Sequence, residues 1–326
     1  MTTAPTIYDV AQRAGVSIST VSLALNKPDR VQAATLARIM DVVDELGFVP
    51  KSEAVTRARR GVGRIGVIAP FTSHPTFAQR LNGVLRVASR SAGFEVVVYD
   101  QESAAVSMLV SLPLTRRVDG LIVMSVPFTD QVADRLLEQR LTTVLVELQH
   151  PRFSSVVIDD AAGGRMVAEH LLGKGHERLA FIGQAHEPSE RVLQSDARLA
   201  GFRAGLGSVD PDIRLVEHSV DAAAAAAREL LVREDRPTAI FSHDDVLASG
   251  ALRAARELGL SVPDDVAVVG FDDSEIAAPL GLTSIRQPLA ESGELAAEML
   301  LAQWAKPSRS TQITTLQLSL VERETS

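Results

Sequence analysis

Short hydroxyl-bearing side chains cluster between two predicted helices near the start of the chain, where residues 6–26 read TIYDVAQRAGVSISTVSLALN. Thr6 and Asp9 have the spacing of a capping box, and Gly15 stands where a tight turn requires a positive φ. Ser17 is placed to cap the second helix. The outer face of that helix is then formed by Ile18, Ser19, Ser22 and Leu23. This pattern is typical of a helix-turn-helix that places short side chains in a DNA groove.

A helical hairpin that only packs is the alternative interpretation of the same pattern. A third apolar helix is predicted at about Ala33–Leu46, because Gly47 and Pro50 follow it as stop signals. Three helices in so short a stretch form a small domain with its own core. The N-terminal position of this domain favours DNA binding over the packing alternative.

Length and amino-acid composition limit the structural class and the cellular location of the protein. Its 326 residues predict two or three structural units, and 46% hydrophobic residues suffice for sizeable cores. The absence of cysteine excludes disulfides and thiolate metal sites. The first ten residues lack the basic and apolar regions of a signal peptide, and no apolar run is long enough to span a membrane. A cytoplasmic protein with no membrane partner is therefore expected.

Charge is divided unevenly along the chain. Residues 1–61 contain eight Lys and Arg against six Asp and Glu, a net +2, whereas the whole chain carries −8. Positive charge peaks just after the third predicted helix, at Lys51, Arg57, Arg59, Arg60 and Arg64. A solvated linker would also be charged. Because the basic segment adjoins the predicted helix-turn-helix, attraction to the DNA backbone is the favoured interpretation.

From residue 64 onward, short apolar runs alternate with amphipathic stretches. The predicted strands are Ile65–Ala69, Glu95–Tyr99, Gly120–Met124, Thr143–Val146, Ser155–Ile158, Leu179–Ile182, Ala239–Phe241 and Val266–Val269, with a terminal strand in 312–323. The predicted helices between them cover 78–92, 130–140, 163–173, 223–233 and 247–258. Such alternation predicts parallel α/β sheets, and the number of strands predicts two α/β subdomains.

Several segments in this order resemble the lac repressor/galactose repressor family of bacterial transcription regulators. They are residues 6–26, ELGFVP (45–50), IGVIAP (65–70), VDGLIV (118–123), HLLGKGHERLAFIG (170–183), RLAGFRAGL (198–206), FSHDD (241–245), ELGLSVPDDVAVVGFDD (257–273) and TSIRQP (283–288). The resemblance runs the whole length of the chain.

The resemblance implies an all-α helix-turn-helix headpiece and an α/β core of two periplasmic-binding-protein-like subdomains, each a doubly wound parallel sheet. It implies a homodimer that binds double-stranded operator DNA as a repressor, with a carbohydrate-like or nucleobase-like effector between the subdomains. The expected boundaries are 1–50 for the DNA-binding domain, 51–63 for the hinge, 64–157 with 286–311 for the first subdomain, and 158–285 with 312–326 for the second.

The resemblance also assigns DNA-binding residues. Ile18, Ser19 and Leu23 would face base edges, with Ser22 on the same outer face. Phosphates would be contacted by Thr6, Tyr8, Ser17, Thr20, Asn26 and Arg30. Leu23 departs from the family, because many relatives have a polar residue there. The half-site is therefore expected to differ from the usual family pattern at that position.

The hinge is a second departure. The family usually has a leucine near the end of a short hinge helix, and this side chain wedges into the minor groove. Arg57 stands at that position in this sequence. Arginine enters a narrow minor groove electrostatically but is a poorer wedge, so either the operator centre is read differently or the DNA is bent less.

Effector-binding residues are implied at the ends of core strands. Asp272 matches the ligand carboxylate of the family, and Arg198 matches a position that pairs with anionic or polar groups. The other candidates are Glu147, His243, Phe71, Thr76 and Phe77. Structural alternatives remain: Asp272 could cap a turn, Arg198 could be a surface charge, and both phenylalanines could belong to the core.

No catalytic or metal-binding constellation stands out in the sequence. The seven histidines show no H-x-x-H or H-E-x-x-H spacing, and neither a G-x-S-x-G elbow nor a Walker A loop is present. A non-enzyme without a cofactor is expected. The competing hypothesis is a solute-binding or sugar-processing α/β protein that does not act on DNA.

Overall fold

The computed structural model describes residues 5–46, 48, 63–72, 74–91, 94–100, 118–185, 193–306 and 310–326. The first of these ranges forms three helices and one short 3-10 turn. They are α1 (Ile7–Ala14), α2 (Ile18–Asn26), the turn Pro28–Arg30 and α3 (Ala33–Leu46). The predicted helix-turn-helix with a third helix is thereby confirmed. No helix in the described ranges is long and apolar enough to cross a membrane.

The apolar stripes of the three headpiece helices pack on one another. The buried side chains include Val10 and Ala14 of α1, Val21 and Ala24 of α2, and Ile39 of α3. These residues recur at the spacing of one helical face, so each helix contributes one stripe to a common core. Arg13 of α1 also pairs with Glu45 of α3 on the surface of this domain.

Beyond the headpiece, the chain passes three times between two structural units. Unit 1 takes in Met1–Val157 and Leu289–Thr314, and unit 2 takes in Ile158–Pro288 and Thr315–Ser326. The observed exchanges at Pro288 and Thr314 lie slightly beyond the expected ones, which were placed at 285 and 311. Each unit has its own six-stranded sheet.

Unit 1 contains a sheet with the strand order β11-β5-β4-β3-β1-β2. Its strands are β1 (Gly63–Ala69), β2 (Phe94–Asp100), β3 (Gly120–Met124), β4 (Thr142–Val146), β5 (Ser154–Ile158) and β11 (Ile313–Leu316). Its helices are α4 (Thr76–Arg90), α5 (Asp130–Glu138) and α10 (Leu289–Ala305). Strands β1 to β5 pair in parallel, and the order reverses between β1 and β3. Folds of this kind bind ligands beyond the carboxyl ends of the strands at such a reversal.

Unit 2 repeats this order as β12-β10-β9-β8-β6-β7, with β12 antiparallel to β10. Its strands are β6 (Leu179–Gln184), β7 (Asp212–Val216), β8 (Ala239–Ser242), β9 (Ala267–Asp272), β10 (Thr283–Arg286) and β12 (Ser319–Val321). Its helices are α6 (Asp160–Gly173), α7 (Leu193–Leu206), α8 (Val220–Leu231) and α9 (Asp245–Glu257). The alanines of α8 pack with α9 on one sheet face, and α6 and α7 cover the other. The predicted pair of α/β subdomains is confirmed.

One expected element is wrong. The segment 312–323 is not a single terminal strand, because Ile313–Leu316 belongs to the sheet of unit 1 and Ser319–Val321 to that of unit 2. Alternating apolar residues continue through both pieces, so periodicity alone could not show that they join different sheets. Strands β7 and β10 and helices α7 and α10 were absent from the predicted elements.

Glycines allow one very close helix crossing in each unit. In unit 1, a Cβ on Gly293 of α10 would lie 1.9 Å from the carbonyl oxygen of Arg80 in α4. In unit 2, a Cβ on Gly164 of α6 would lie 2.1 Å from the carbonyl oxygen of Arg198 in α7. Only glycine permits the backbones to approach so closely, and each crossing fixes an arginine on the opposite helix.

The single tryptophan of the chain lies in unit 1. Trp304 of α10 stacks on Phe94 of β2 with ring centroids 5.3 Å apart. A Cβ on Gly120 at the start of β3 would lie 2.5 Å from the indole ring, so this glycine leaves room for it. The stack therefore links the last long helix of the unit to the amino ends of its strands.

Candidate functional site

The turn between α1 and α2 is built around Gly15. This residue has φ 64°, and its N–H donates to the carbonyl oxygen of Gln12 at 3.3 Å. The N–H of Val16 donates to the carbonyl oxygen of Ala11 at 3.0 Å. A left-handed residue here ends α1 and redirects the chain, as the sequence predicts.

Hydroxyl groups surround the start of α2. The Ser17 hydroxyl accepts from the Thr20 N–H at 3.1 Å, which confirms the predicted cap. The same oxygen lies 2.7 Å from the hydroxyls of Ser19 and Thr20. At the other helix, the Asp9 carboxylate accepts from the N–H and the hydroxyl of Thr6, which is the predicted capping box. A helix N-terminus with several hydroxyls suits a phosphate oxygen.

The outer face of α2 carries both large aliphatic and hydroxyl-bearing side chains. Ile18 is 41% exposed and Leu23 is 36% exposed, although both are large aliphatic side chains. Ser19 is exposed and Ser22 is half-buried on the same face. The opposite face supplies the headpiece core through Val21, Ala24 and Leu25.

The remaining predicted DNA-binding residues flank this helix. Thr6, Tyr8 and Arg30 are exposed. Asn26 is the last residue of α2, and its side chain lies outside the part of the chain that the structure describes. Arg57 and the predicted hinge also lie outside it, so their role stays a prediction.

In unit 1, two strands end on unusual backbone conformations. Ser125 follows β3 with φ 52°, and Glu147 follows β4 with φ 59°. Non-glycine residues rarely adopt a positive φ, and such strain concentrates at functional sites. The Ser125 hydroxyl donates to Glu147 Oε2 at 2.6 Å, so the two strand ends are joined.

Arg80 of α4 holds the other side of Glu147. Its guanidinium is 2% exposed and forms an ion pair with Glu147 Oε1. It also donates to the Ser292 hydroxyl of α10 at 2.5 Å. A charge buried to this extent needs a partner, so Glu147 and Arg80 stabilise each other. The sequence analysis did not identify Arg80.

The aromatic candidates of unit 1 differ in burial. Phe71 and Thr76 are half-buried near the carboxyl end of β1, whereas Phe77 is 5% exposed. The Phe77 ring packs against His74 at 6.2 Å and lies 5.7 Å from the Arg80 guanidinium. The packing alternative therefore describes Phe77. Phe71 is the candidate aromatic side chain near this strand end that is only half-buried.

In unit 2, Arg198 of α7 is a buried side chain and not a surface charge. It is 3% exposed, and its Nε donates to Asp160 Oδ1 at 2.8 Å. Its Nη1 donates to the His243 carbonyl oxygen at 2.8 Å and lies 3.7 Å from Asp272 Oδ1. The guanidinium stacks over the Phe271 ring at 3.7 Å. These contacts join Arg198 to the start of α6 and to the ends of β8 and β9.

Asp272 ends β9 with φ 103°, and Asp273 follows it with φ 49°. Gln287 donates to Asp272 Oδ1 at 2.5 Å. Asp273 is clamped by two arginines, Arg286 at 2.7 Å and Arg323 at 2.6 Å. Asp272 therefore lies at a strained strand end, where its carboxylate accepts from Gln287. Asp273, the next residue, is fixed by its two arginines.

His243 follows β8 and begins a cluster of acidic and imidazole groups. His243 is buried, and its backbone N–H donates to the Ile182 carbonyl oxygen at 2.8 Å. The next residue, Asp244, caps α9 and pairs with His218 Nε2 at 2.5 Å. Burial opposes ionisation of Asp244, but the His218 hydrogen bond and the nearby imidazoles outweigh it and hold its pKa below the usual range.

Asp245 lies beside Asp244 and behaves oppositely. Burial raises the pKa of Asp245 to about 7, although the Ser284 hydroxyl and the Ser274 N–H and hydroxyl donate to its carboxyl. The neighbouring Asp244 carboxylate contributes to this rise. The pKa values of these two adjacent carboxyl groups are shifted in opposite directions, which shows that acidic groups are closely packed near these strand ends.

The two units use equivalent positions for their buried charges. Arg80 and Arg198 each lie on the helix that follows the first strand of their unit, and each packs its own carbonyl against a glycine of a crossing helix. Each guanidinium lies near a carboxylate at the end of the fourth strand, Glu147 in unit 1 and Asp272 in unit 2.

The sequence carried signals for some of the residues that it did not identify. Arg80 interrupts an apolar stripe with Phe77, Val84 and Val87, and a lone charge on a buried helical face implies a buried partner. Asp160, in contrast, reads as an ordinary first-turn acid of a helix, and nothing in its local pattern separates it from other caps.

Comparisons with known proteins agree with this architecture. Residues 6–51 match the family model "Bacterial regulatory proteins, lacI family", and residues 168–326 match the model of a periplasmic binding protein-like domain. The first match covers the headpiece helices, and the second covers most of unit 2.

Full-length relatives are similar over nearly the whole chain. The ribose operon repressor of Escherichia coli (strain K12) is 31% identical over 327 residues, which cover 98% of each chain. A solved complex of the transcriptional regulator CelR with cellobiose has a TM-score of 0.72 at 29% identity, covering 99% of this chain and 100% of that chain. The lac repressor dimer bound to operator and an anti-inducer has a TM-score of 0.70 at 27% identity, with 98% of each chain covered.

These relatives are transcription regulators, so the alternative of an α/β protein that does not act on DNA is not supported. The headpiece, the two sheets of identical order and the full-length matches together lead to one assignment. The chain belongs to the lacI family of bacterial regulatory proteins and is a DNA-binding repressor controlled by a small molecule.

Proposed function

We propose that α2 enters the major groove of operator DNA with its outer face, formed by Ile18, Ser19, Ser22 and Leu23. The observation that carries this proposal is that the lacI-family match coincides with a helix whose outer face is exposed and whose N-terminus is rich in hydroxyls. Thr6, Tyr8, Ser17, Thr20 and Arg30 contact phosphates around it, and Asn26 and Arg57 complete the interface.

The proposed effector is an unphosphorylated carbohydrate bound at the carboxyl ends of the strands. Glu147 and Asp272 lie there, and carboxylates accept hydrogen bonds from sugar hydroxyls. Arg198 is already engaged by Asp160 and the His243 carbonyl, which argues against recognition of a phosphate group. Burial of Phe77 removes one of the two aromatic faces on which a nucleobase would stack. Ribose and cellobiose are bound in solved relatives.

The proposed assembly is a homodimer that acts in the cytoplasm, where the chromosome is, and without enzymatic activity of its own. The lac repressor relative was solved as a dimer on its operator. In unit 2, the large apolar side chains Ile276 and Leu280 are exposed, and a second copy would cover them. Light scattering of the purified chain measures this directly.

DNA binding is tested by selection of duplexes from a random pool with the full-length protein, followed by titration at several salt concentrations. Tyr8→Ala and Arg30→Ala should weaken binding to every sequence alike, and Arg30→Ala should reduce the salt slope by about one. Lys306→Ala, an exposed cation far along the chain, is the matched control. Failure to enrich any sequence would contradict the proposal.

The effector class is tested by thermal shift with ribose, cellobiose and ribose 5-phosphate as probes. A sugar that binds only the folded protein raises its melting temperature. A shift with a neutral sugar is expected, and Asp272→Asn should abolish it. A shift with the phosphorylated sugar alone would overturn the assignment of an uncharged effector.

A further inference from the structure

The outer face of α2 has an unusual set of side chains for a surface that reads bases. Its four residues, Ile18, Ser19, Ser22 and Leu23, lie at helical spacing on one side of the helix. Two are aliphatic and two are hydroxylic. None of the four carries a guanidinium, ammonium, amide or carboxylate group.

This set restricts which base edges the face can distinguish. Bidentate hydrogen bonds to guanine require Arg or Lys, those to adenine require Asn or Gln, and cytosine is recognised by acidic side chains. Serine hydroxyls donate or accept and therefore discriminate weakly. The only base feature in the major groove that an aliphatic side chain contacts favourably is the C5-methyl group of thymine.

Ile18 and Leu23 are available for such a contact. Both are more than a third exposed, and neither belongs to the buried core of the headpiece. The core is completed on the opposite face by Val21, Ala24 and Leu25. Exposure of two large aliphatic side chains in so small a domain is unfavourable in water, and burial against a methyl group relieves it.

From this face we infer that thymine methyl groups, contacted by Ile18 and Leu23, carry most of the sequence discrimination of the headpiece. The inference rests on the proposed placement of α2 in the major groove. It names the chemical feature of the operator that is read, and it predicts half-sites in which thymines occupy the positions opposite these two residues.

The experiment begins with the duplex that the full-length protein selects from a random pool. Each thymine of the selected site is then replaced by deoxyuridine, which removes only the C5-methyl group. Replacement at one or two positions per half-site should weaken binding about four-fold each, as expected for loss of one buried methyl contact. Replacement of guanine by 7-deazaguanine, which removes the N7 acceptor, should have little effect.

A mutant cycle assigns each methyl group to a side chain. Leu23→Ala should weaken binding to the thymine duplex, and deoxyuridine at the matching position should then cause no further loss. Ile18→Ala should show the same coupling at a different thymine. Leu137→Ala, which truncates a similarly exposed leucine of unit 1, is the control and should keep the full deoxyuridine effect. Retained salt-dependent binding to random DNA shows that each variant headpiece is folded.

The results distinguish a failure of the thymine-methyl inference from a failure of the DNA-binding proposal. If a sequence is selected but deoxyuridine is tolerated throughout, or if its effect is unchanged in Leu23→Ala and Ile18→Ala, the methyl inference is wrong and the DNA-binding proposal stands. A large loss with 7-deazaguanine would also overturn the inference. If no sequence is selected, the DNA-binding proposal itself fails.

Discussion

Units 1 and 2 place a buried arginine at the same position of the same fold but surround it differently. Arg80 of unit 1 pairs with one carboxylate, Glu147, and with the Ser292 hydroxyl. Arg198 of unit 2 lies between two carboxylates, Asp160 and Asp272. Among the described ion pairs, one carboxylate therefore faces the arginine of unit 1, whereas two carboxylates face the arginine of unit 2.

The shared architecture determines where the arginine of each unit lies. The neighbouring acidic residues determine its chemical role. In unit 1 the ion pair with Arg80 positions Glu147. In unit 2 two carboxylates share one guanidinium, and their oxygens suit a ligand rich in hydroxyl donors. A repeated fold thus supplies two chemically distinct surfaces.

The largest expected effect comes from Arg198→Met. Both Asp160 and Asp272 would keep their burial and lose their cation, so the free energy of unfolding should fall by about 3–5 kcal/mol. Urea denaturation followed by circular dichroism measures this. Arg203→Met on the same helix removes an exposed pair with Asp210 at 4.0 Å and should change stability by less than about 0.5 kcal/mol. Equal losses of unfolding free energy in Arg198→Met and Arg203→Met would show that the buried carboxylates of unit 2 do not depend on Arg198.

A smaller effect is expected in unit 1, where the pair can be replaced as a whole. Arg80→Met should cost about 3 kcal/mol, because Glu147 is left buried without its cation. The double variant Arg80→Met/Glu147→Leu should recover most of that loss. Arg198→Met/Asp272→Leu should recover less, because Asp160 remains. Similar recovery in both units would show that the arginine environments are equivalent.

The third expected effect is a pH dependence that arises in unit 2. In the folded protein Asp245 loses its proton near pH 7, whereas in the unfolded chain it does so near pH 3.8. Between these values the folded state binds more protons, so the contribution of Asp245 to stability falls as pH rises from about 4 to 7. Urea denaturation at several pH values should show the wild type losing stability relative to Asp245→Asn over that window.

The control for this pH dependence is Asp264→Asn, which changes an exposed carboxylate of the same unit. It measures how far removal of a surface carboxylate alone changes the pH profile. An Asp245→Asn effect no larger than that of this control would show that the crowded carboxylates of unit 2 do not titrate near neutrality.

Local pattern was enough to predict the headpiece. The capping box at Thr6, the positive φ of Gly15 and the Ser17 cap depend on neighbours within a few residues, and all three are present. Alternation of apolar runs likewise predicted the parallel sheets, because buried strands are apolar on both faces. Strand β7 was not predicted, since its residues DIRLV place charges in an edge strand.

The buried charges depend on contacts between residues far apart in sequence. Arg80 and Glu147 are separated by 67 positions, and Arg198 and Asp160 by 38. The apolar stripe around Arg80 indicates that the arginine is buried, but local periodicity does not record which residue is its partner. The resemblance pointed only to Glu147. Phe77 shows the opposite case, because an aromatic in the first turn of the helix after a strand has the same local pattern whether it binds a ligand or packs inside.

The stack of Trp304 on Phe94 makes the two units optically distinguishable. The chain has one tryptophan and two tyrosines, and the segments of unit 2 contain none of them. Indole fluorescence therefore reports unit 1 alone, whereas far-ultraviolet circular dichroism follows the helices of both units. Coincident transitions by the two probes would show that the units unfold as one cooperative system, and separated transitions would give each unit its own stability without any label.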